Sequence, residues 1–135
     1  MTLPATRFTF TKDERLSSRK IIAELFEKGT SFVVVPFRLI WMETILPSDF
    51  PVQVVFSVPA KNFRKAVDRN RIKRQLREVY RKNKSTVYAL LKKEQTQCAI
   101  MIVFSGKTKL SFEEIEKKLK LTLLRFEEGF KKHAE

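Results

Sequence analysis

The sequence predicts a single-domain α+β protein that folds as a two-layer sandwich, with helices packed on a small sheet. Short runs rich in β-branched and aromatic residues stand between stretches whose apolar residues recur with a helical period. The 135 residues are 43% hydrophobic and include only three Gly and five Pro, so the chain can bury a core and lacks the composition of a disordered tail. The predicted order is α-β-β-(β)-α-β-α, and the bracketed strand depends on how Pro36 divides the first run.

The first helix is expected to follow an extended arm at residues 1–14. Ser17 or Ser18 can cap its first turn by accepting a hydrogen bond from an unpaired backbone N–H. Lys28 and Gly29 mark its end, because a cation suits a helix C-terminus and glycine suits a left-handed cap. The apolar stripe between these signals consists of Ile22, Leu25 and Phe26.

The strands of the first half are predicted at Ser31–Val35, Phe37–Ile45 and Val52–Val58. Pro36 has no N–H to donate, so it belongs at an edge, at a bulge or at a break between two short strands. A turn at residues 47–51, rich in proline and polar residues, separates the second run from the third. This region therefore supplies two or three neighbouring strands.

Three further elements follow. A basic loop at 59–65 leads into a helix over 66–82, and Thr86–Lys93 is expected to form a short extra helix. Cys98–Phe104 is a continuous apolar run, which is typical of a strand buried on both faces. Cys98 is the single cysteine, and we expect it to be a buried thiol that forms no internal disulfide.

The last helix has a clear N-terminal signal. Ser111 and Glu114 form a capping box, in which each side chain can satisfy a backbone donor of the other residue. Apolar residues recur along one face of this helix at positions 112, 115, 119, 123, 126 and 130.

Residues 130–135 are expected to form a flexible tail. The whole of 1–135 is expected to be one domain.

Positive charge is concentrated in the middle of the chain. Between Lys61 and Lys84 there are 11 Lys and Arg residues and two acids, which gives +9 of the total formal charge of +13. A solvated helix usually alternates charges one turn apart, whereas this helix has a single acid, Glu78, beyond its first turn. Unpaired like charges repel each other, so the pattern favours a polyanionic ligand, nucleic acid above all, over an ordinary solvated face.

Helical geometry sorts this charge into a stripe. With Asn70 as the origin and about 100° added per residue, Arg74, Arg77 and Arg81 lie within about 40° of it, and Lys73 lies at the rim. Arginine suits such a surface because its planar guanidinium can hold two phosphate oxygens at once. A separate face, which should meet the core, collects Ile72, Leu76, Val79 and Tyr80.

Arg69 lies off the stripe, at about 260° from the origin. It stands in the first turn of the helix, where Asp68 is the expected N-cap. Its guanidinium is therefore predicted to project past the sheet edge and to reach a ligand that the central stripe does not.

The sequence lacks the residue patterns that a protein nuclease or a metalloenzyme needs. Its only histidine, His133, lies near the C-terminus, no two carboxylates lie close together within the cationic region, and no Cys/His spacing suits zinc. No apolar run approaches the ~20 residues of a membrane span, and the N-terminus lacks the apolar block of a secretion signal. We therefore expect a cytoplasmic protein with no membrane partner, no catalytic residue, no metal ligand and no cofactor bound by its side chains.

One run of the basic helix, Ala66-Val-Asp-Arg-Asn-Arg-Ile-Lys-Arg74, resembles the bacterial ribonuclease P protein subunit family. Its Arg69-Asn70-Arg71 core is specific in this context, with Phe56-Ser57-Val58 before it. The resemblance runs over nearly the whole chain and includes Arg15-Leu16, Phe26-Glu-Lys-Gly29, the apolar strand at 98–104 and the capped last helix.

The resemblance implies a partner and a division of labour. Members of the family act with a large catalytic RNA that removes the 5′ leader of precursor tRNA, and that RNA performs the phosphodiester hydrolysis with bound Mg²⁺. The protein subunit would bind the catalytic RNA through the Arg-Asn-Arg helix and hold the leader in a cleft between the first helix, this helix and the sheet. The resemblance also implies a left-handed β-α-β crossover, which general handedness rules do not predict. Separately, we expect no DNA partner.

The family's functional positions transfer to individual residues of this chain. The RNA-contacting motif matches Arg69, Asn70, Arg71, Lys73 and Arg74, and the stripe extends it to Arg77 and Arg81. The leader cleft is expected to include Lys12, Arg15, Phe26, Phe37, Ser57 and Lys61. The chain departs from the common family pattern at Ile22, Ile40, Phe104 and Ser105 and in a longer 59–65 loop, which bears on the contacts with the leader.

Two other interpretations of the basic helix stay open. A non-catalytic ribosomal protein or rRNA chaperone could use the same surface without taking part in cleavage. A helix-turn-helix DNA binder ranks last, because strands flank the basic helix and no tight helix–turn–helix pair precedes it.

Overall fold

The computed structural model describes residues 10–107 and 110–134. A short 3₁₀ turn at Lys12–Glu14 precedes the regular elements. The helices are α1 (Arg19–Lys28), α2 (Ala66–Asn83), α3 (Ser85–Lys93) and α4 (Phe112–Ala134). The strands are β1 (Thr30–Val34), β2 (Phe37–Glu43), β3 (Val52–Ser57) and β4 (Cys98–Phe104). This order confirms the predicted α+β class and the third strand before α2.

The four strands form one sheet in the order β1-β2-β4-β3. Strands β1, β2 and β4 pair antiparallel, whereas β3 pairs parallel with β4, with Val52 opposite Cys98 and Ser57 opposite Val103. Parallel neighbours need a crossover connection, and α2 and α3 supply it here. This topology places α2 over the β3 end of the sheet. The left-handed sense of the crossover stays a prediction from the resemblance.

Alternate residues of the strands face two different groups of helices. One face packs against α2, α3 and α4 and carries the larger core, in which Trp41, Ile100 and Phe126 are buried. The other face is covered by α1, which lies over β2 and β4 and buries Leu25 and Ile40 in a smaller cluster. Strand β4 is therefore buried on both faces, as predicted, and α1 covers the face that a strict two-layer sandwich leaves open.

The predicted N-terminal caps of α1 and α4 are confirmed. Ser18 Oγ accepts a hydrogen bond from Ile21 N at 3.3 Å, and Ser111 and Glu114 form the capping box, with Glu114 N donating to Ser111 Oγ at 3.2 Å. The left-handed cap predicted for Gly29 is wrong, because its φ of −70° and ψ of 151° are extended. A Cβ at this position would lie 2.4 Å from a backbone carbonyl oxygen of α1, so glycine is needed for close approach of the chain.

Two further predictions are wrong. Helix α2 begins at Ala66, as predicted, but its N-cap is Lys65 and Asp68 lies inside its first turn, where the carboxylate still suits the positive end of the helix dipole. The flexible tail predicted at 130–135 is helical as far as its last described residue. Phe130 is fully buried there, with its ring centroid 5.8 Å from that of Trp41, and this packing explains why the helix continues.

The N-terminal segment is anchored to the core. Residues 1–9 of the predicted arm lie outside the described residues, but the segment beyond them forms the 3₁₀ turn, and Glu14 in that turn is fully buried. One carboxylate oxygen of Glu14 contacts Lys84 Nζ and accepts a hydrogen bond from Tyr88 OH at 2.6 Å. The other oxygen accepts a hydrogen bond from Thr11 N at 3.0 Å. Glu14 thus ties the start of the described chain to the junction of α2 and α3.

Two tyrosines complete this buried network. Tyr80 OH donates a hydrogen bond to Tyr88 OH at 3.3 Å, and Tyr88 in turn donates to Glu14. Burial raises the pKa of both phenols above their ordinary value, so both stay protonated and keep donating. A buried charge is stable only when it is paired and hydrogen-bonded, and this network meets both conditions for Glu14.

Replacing Lys84 with Met should leave the Glu14 carboxylate buried without its counter-charge. Removal of one partner of a buried ion pair costs about 3–5 kcal/mol, so urea denaturation should show a loss of that order in the free energy of unfolding. Lys82→Met is the matched control and should change stability little, because Lys82 makes an exposed pair with Glu78 at 3.6 Å. Equal losses in the two variants would contradict the anchoring role of the network.

Candidate nucleic-acid interface

Helix α2 separates a buried apolar side from a cationic side, as its helical spacing predicts. The apolar side packs into the larger core, where Leu76 and Val79 are fully buried. The other side carries three exposed and three half-buried polar residues. We refer to these six residues as the cationic face: Asn70, Arg71, Lys73, Arg74, Arg77 and Arg81.

The C-terminal end of the cationic face is paired with a carboxylate, whereas its middle has no such partner among the described residues. At its C-terminal end, Arg81 donates to Glu78 through Nε at 3.0 Å and through Nη2 at 2.6 Å, and these hydrogen bonds lower the pKa of Glu78. Neither Arg71 nor Arg74 forms an ion pair with a carboxylate of residues 10–107 or 110–134. An anion would therefore meet unneutralised guanidinium groups in the middle of α2.

Arg69 does not project freely toward a ligand. One of its guanidinium nitrogens donates hydrogen bonds to the carbonyl oxygens of Phe63 at 2.7 Å and of Arg64 at 2.9 Å. These bonds clamp the 59–65 loop onto the first turn of α2, while the Phe63 side chain is buried in the core. The predicted reach of Arg69 past the sheet edge is thus corrected. Its position supports the loop that carries Lys61.

The N-terminal segment brings a further arginine to the side of the cationic face. Arg15 pairs with Val54 in an isolated parallel β-bridge, and its guanidinium carbon lies 5.4 Å from the ring centroid of Phe10. The Phe10 centroid lies 5.7 Å from that of Tyr80 on α2. Partial burial and, to a lesser degree, the charge of Arg15 lower the pKa of Arg77. Arg15, expected in the leader cleft, therefore adjoins the cationic face.

A second surface runs along β3 on the opposite face of the sheet. Because α1 covers β2 and β4, the side chains of Val55 and Ser57 on β3 stay half-buried. Val103 lies opposite Ser57 on β4 and is also half-buried, and the exposed Arg38 lies opposite Val103 on β2. We refer to these four residues as the β3 groove. Sequence reasoning missed three of them, although the alternation of strand residues would have placed them on one face.

The two surfaces are not one cleft between α1 and α2, as the resemblance implied. Helix α1 belongs to the smaller cluster and α2 to the larger core, so the sheet lies between them. The 59–65 loop follows Ser57 directly and leads into the first turn of α2. It therefore connects the end of the β3 groove to the start of the cationic face.

The remaining residues expected in the leader cleft have different positions. Phe26 on α1 is 66% exposed, and Lys12 and Lys61 are exposed as well. Phe37 is fully buried in the larger core, 5.6 Å from Phe104 between ring centroids. Its assignment to the cleft is corrected, because strand alternation turns this ring away from the β3 groove and its position leaves no face for a nucleotide.

The departures from the common family pattern lie mostly in the interior. Ile40 and Phe104 are buried, and Ile22 packs half-buried against the smaller cluster. Ser105 donates a hydrogen bond through Oγ to the Pro36 carbonyl oxygen at 2.9 Å. These residues therefore shape the core and a turn.

The histidine and the cysteine of the chain lie away from both surfaces. Among the described residues, no three His, Cys, Asp or Glu side chains lie close enough to hold a metal ion. His133 lies against Trp41 on β2, with their ring centroids 5.3 Å apart. Cys98 is buried, and burial raises the pKa of its thiol to about 12, so it stays protonated near neutral pH. None of the helices in residues 10–107 and 110–134 combines the length with the apolar character that a membrane span requires.

Comparison with known proteins gives a consistent result. A family model described as Ribonuclease P matches residues 10–127. The chain is 35% identical over 125 residues to a ribonuclease P protein component of Porphyromonas gingivalis, covering 93% of this chain and 90% of that protein. It is 33% identical over 118 residues to one of Chlorobium phaeobacteroides, covering 80% of this chain and 81% of that protein.

Solved structures resemble the fold. The ribonuclease P protein of Thermotoga maritima superposes with a TM-score of 0.67 at 24% identity, covering 83% of this chain and 96% of that one. That of Staphylococcus aureus gives a TM-score of 0.61 at 19% identity, covering 84% of this chain and 94% of that one. At these identities the likeness supports the architecture alone.

Phe37 is buried and Phe26 is exposed, so truncating each side chain should change stability differently. Phe37→Ala should lower the free energy of unfolding by about 3–5 kcal/mol, because it removes a fully buried ring. Phe26→Ala should leave stability nearly unchanged, because that ring is mostly exposed. Urea denaturation of both variants checks the pair, and a Phe37 variant as stable as the Phe26 variant would contradict the placement of Phe37.

Proposed function

This chain belongs to the ribonuclease P protein component family, and on that premise we propose how its two surfaces serve a tRNA-processing ribonucleoprotein. The cationic face of α2 binds the catalytic RNA of ribonuclease P. The β3 groove binds the single-stranded 5′ leader of precursor tRNA. The protein supports removal of the leader, and the RNA subunit performs the hydrolysis with Mg²⁺.

The observation that carries the proposal is the set of unneutralised guanidinium groups on the cationic face. Arg71 and Arg74 are exposed and form no ion pair with a described carboxylate, so their mutual repulsion is relieved when an RNA backbone binds. Arginine can bind two phosphate oxygens together, which also fixes the orientation of a folded RNA.

The chemistry of the β3 groove supports its assignment to the leader. Single-stranded RNA binds where bases stack on aromatic or apolar surfaces within a cationic groove. Val55 and Val103 supply a partly exposed apolar floor, Arg38 supplies a cation, and Phe26 supplies an exposed ring on neighbouring α1. The loop that carries Lys61 would let one protein contact the leader and the catalytic RNA at the same time.

The contribution of the protein to cleavage is electrostatic positioning. Catalytic RNA and precursor tRNA are both polyanions, and their repulsion is greatest when few divalent cations screen it. A formal charge of +13 on a chain of 135 residues offsets part of that repulsion. The protein should therefore matter most at low Mg²⁺.

Reconstitution tests the proposal directly. Bacterial ribonuclease P RNA and a leader-bearing precursor tRNA are mixed at low Mg²⁺ with and without the full chain, and the protein is expected to accelerate leader removal. An Arg71→Ala/Arg74→Ala variant should lose most of the acceleration, whereas Lys117→Ala/Lys120→Ala, which removes equal charge from α4, should keep it. No acceleration by the wild-type chain would overturn the proposal and favour the ribosomal or rRNA-chaperone interpretation.

The salt dependence of RNA binding should identify the contact surface. Arg74→Ala should lower the slope of log K against log salt concentration by about one, because each lost phosphate contact removes roughly one released counterion. Arg125→Ala is the matched control, since Arg125 stacks on Phe32 at the far edge of the sheet, and it should leave the slope unchanged. The same slope for wild type and Arg74→Ala would argue against direct phosphate contact at that position.

A further inference from the structure

Two arginines from distant parts of the chain converge beside β3. The Arg15 guanidinium lies over the Phe10 ring at 5.4 Å, and that ring lies 5.7 Å from Tyr80. Arg77 precedes Tyr80 by three positions on α2, and residues three apart are neighbours on a helix surface. The contact of Phe10 with Tyr80 therefore brings the charge of Arg15 to the side of the helix that carries Arg77.

This convergence is electrostatically unfavourable in the absence of a ligand. Partial burial and the charge of Arg15 both lower the pKa of Arg77. Neither guanidinium is ion-paired with a carboxylate of residues 10–107 or 110–134. Two like charges held close together repel each other. An anion bound between them would attract both guanidinium groups and offset that repulsion.

The fold holds Arg15 in place against this repulsion. Its backbone forms the β-bridge with Val54, and the next residue, Leu16, donates its N–H to the Val54 carbonyl oxygen at 2.9 Å. The preceding residue is Glu14, which is fully buried and bound to Lys84. Because the backbone is fixed on both sides, the segment cannot move away to separate the charges.

We propose that Arg15 and Arg77 form one phosphate-binding site for a nucleic-acid strand. Each guanidinium offers a planar pair of N–H donors, and two such groups can surround one phosphate. The inference rests on the proposed function and sharpens it. A phosphate held here lies at the side of the cationic face, where the N-terminal segment and α2 grip the same nucleotide strand.

Nuclear magnetic resonance of the arginine Nε–Hε groups tests the site on the intact chain. The signals of Arg15 and Arg77 are assigned from Arg15→Lys and Arg77→Lys, and pyrophosphate and a short single-stranded RNA are titrated in separate experiments. Both signals should shift along one saturation curve for either ligand, while the Arg125 signal should stay in place. Shifts with different saturation curves, or a shift of one signal alone, would overturn the shared site.

The salt slope of RNA binding gives an independent count of phosphates. If the two arginines hold one phosphate, Arg15→Ala/Arg77→Ala should lower the slope by about one, whereas separate contacts would lower it by about two. Arg71→Ala/Arg74→Ala serves as the comparison, because both side chains are exposed on the cationic face. Urea denaturation of each variant separates a folding defect from a binding defect, and the Lys variants keep the charge if an Ala variant unfolds.

The outcomes separate this inference from the proposed function. A chain that accelerates precursor cleavage but shows no joint response of Arg15 and Arg77 loses the shared site and keeps its role in ribonuclease P. A chain whose arginine signals respond together to both ligands, but which does not accelerate cleavage, keeps the site and loses that role. A response to pyrophosphate without one to RNA would contradict a nucleic-acid site.

Discussion

The buried carboxylate of Glu14 holds the N-terminal segment against the junction of α2 and α3, and the neighbouring surface is arranged around that attachment. Its partners Lys84 and Tyr88 lie 70 and 74 residues further along the chain. A buried charge needs a counter-charge and hydrogen bonds, so the segment has one favourable position. That position brings Arg15 beside α2. An interaction in the core thereby fixes the geometry of a charged surface outside it.

Helix α2 carries two tasks on opposite sides, and its periodicity keeps them separate. Leu76 and Val79 anchor the helix in the core, and this packing offsets the repulsion among the cations outside. Among residues 10–107 and 110–134, Arg71 and Arg74 have no carboxylate partner, whereas Arg81 at the end of the face donates two hydrogen bonds to Glu78. Such a surface gains most from a ligand that is itself a dense array of negative charge, which is the physical reason for assigning it to RNA.

The sequence predicts well those elements whose signals are local. Strand β4 follows from an uninterrupted apolar run, and α4 follows from its capping box and its apolar stripe, because both patterns lie within a single element. Features that depend on tertiary contacts could not be predicted from these local patterns. The loop clamp by Arg69 depends on the path of the 59–65 loop, and the burial of Phe37 depends on which sheet face meets the larger core. The sequence also did not show that α1 and α2 pack on opposite faces of the sheet, because this depends on which core cluster each helix joins.

Site-directed crosslinking to ribonuclease P RNA tests the central claim, that the cationic side of α2 faces the RNA. Val67→Cys on α2 and Leu121→Cys on α4 replace exposed apolar residues without changing the charge, and the native Cys98 is buried and unreactive. A photoreactive group at position 67 should crosslink to the RNA, whereas the same group at position 121 should not. Crosslinks from position 121 with none from position 67 would contradict the account.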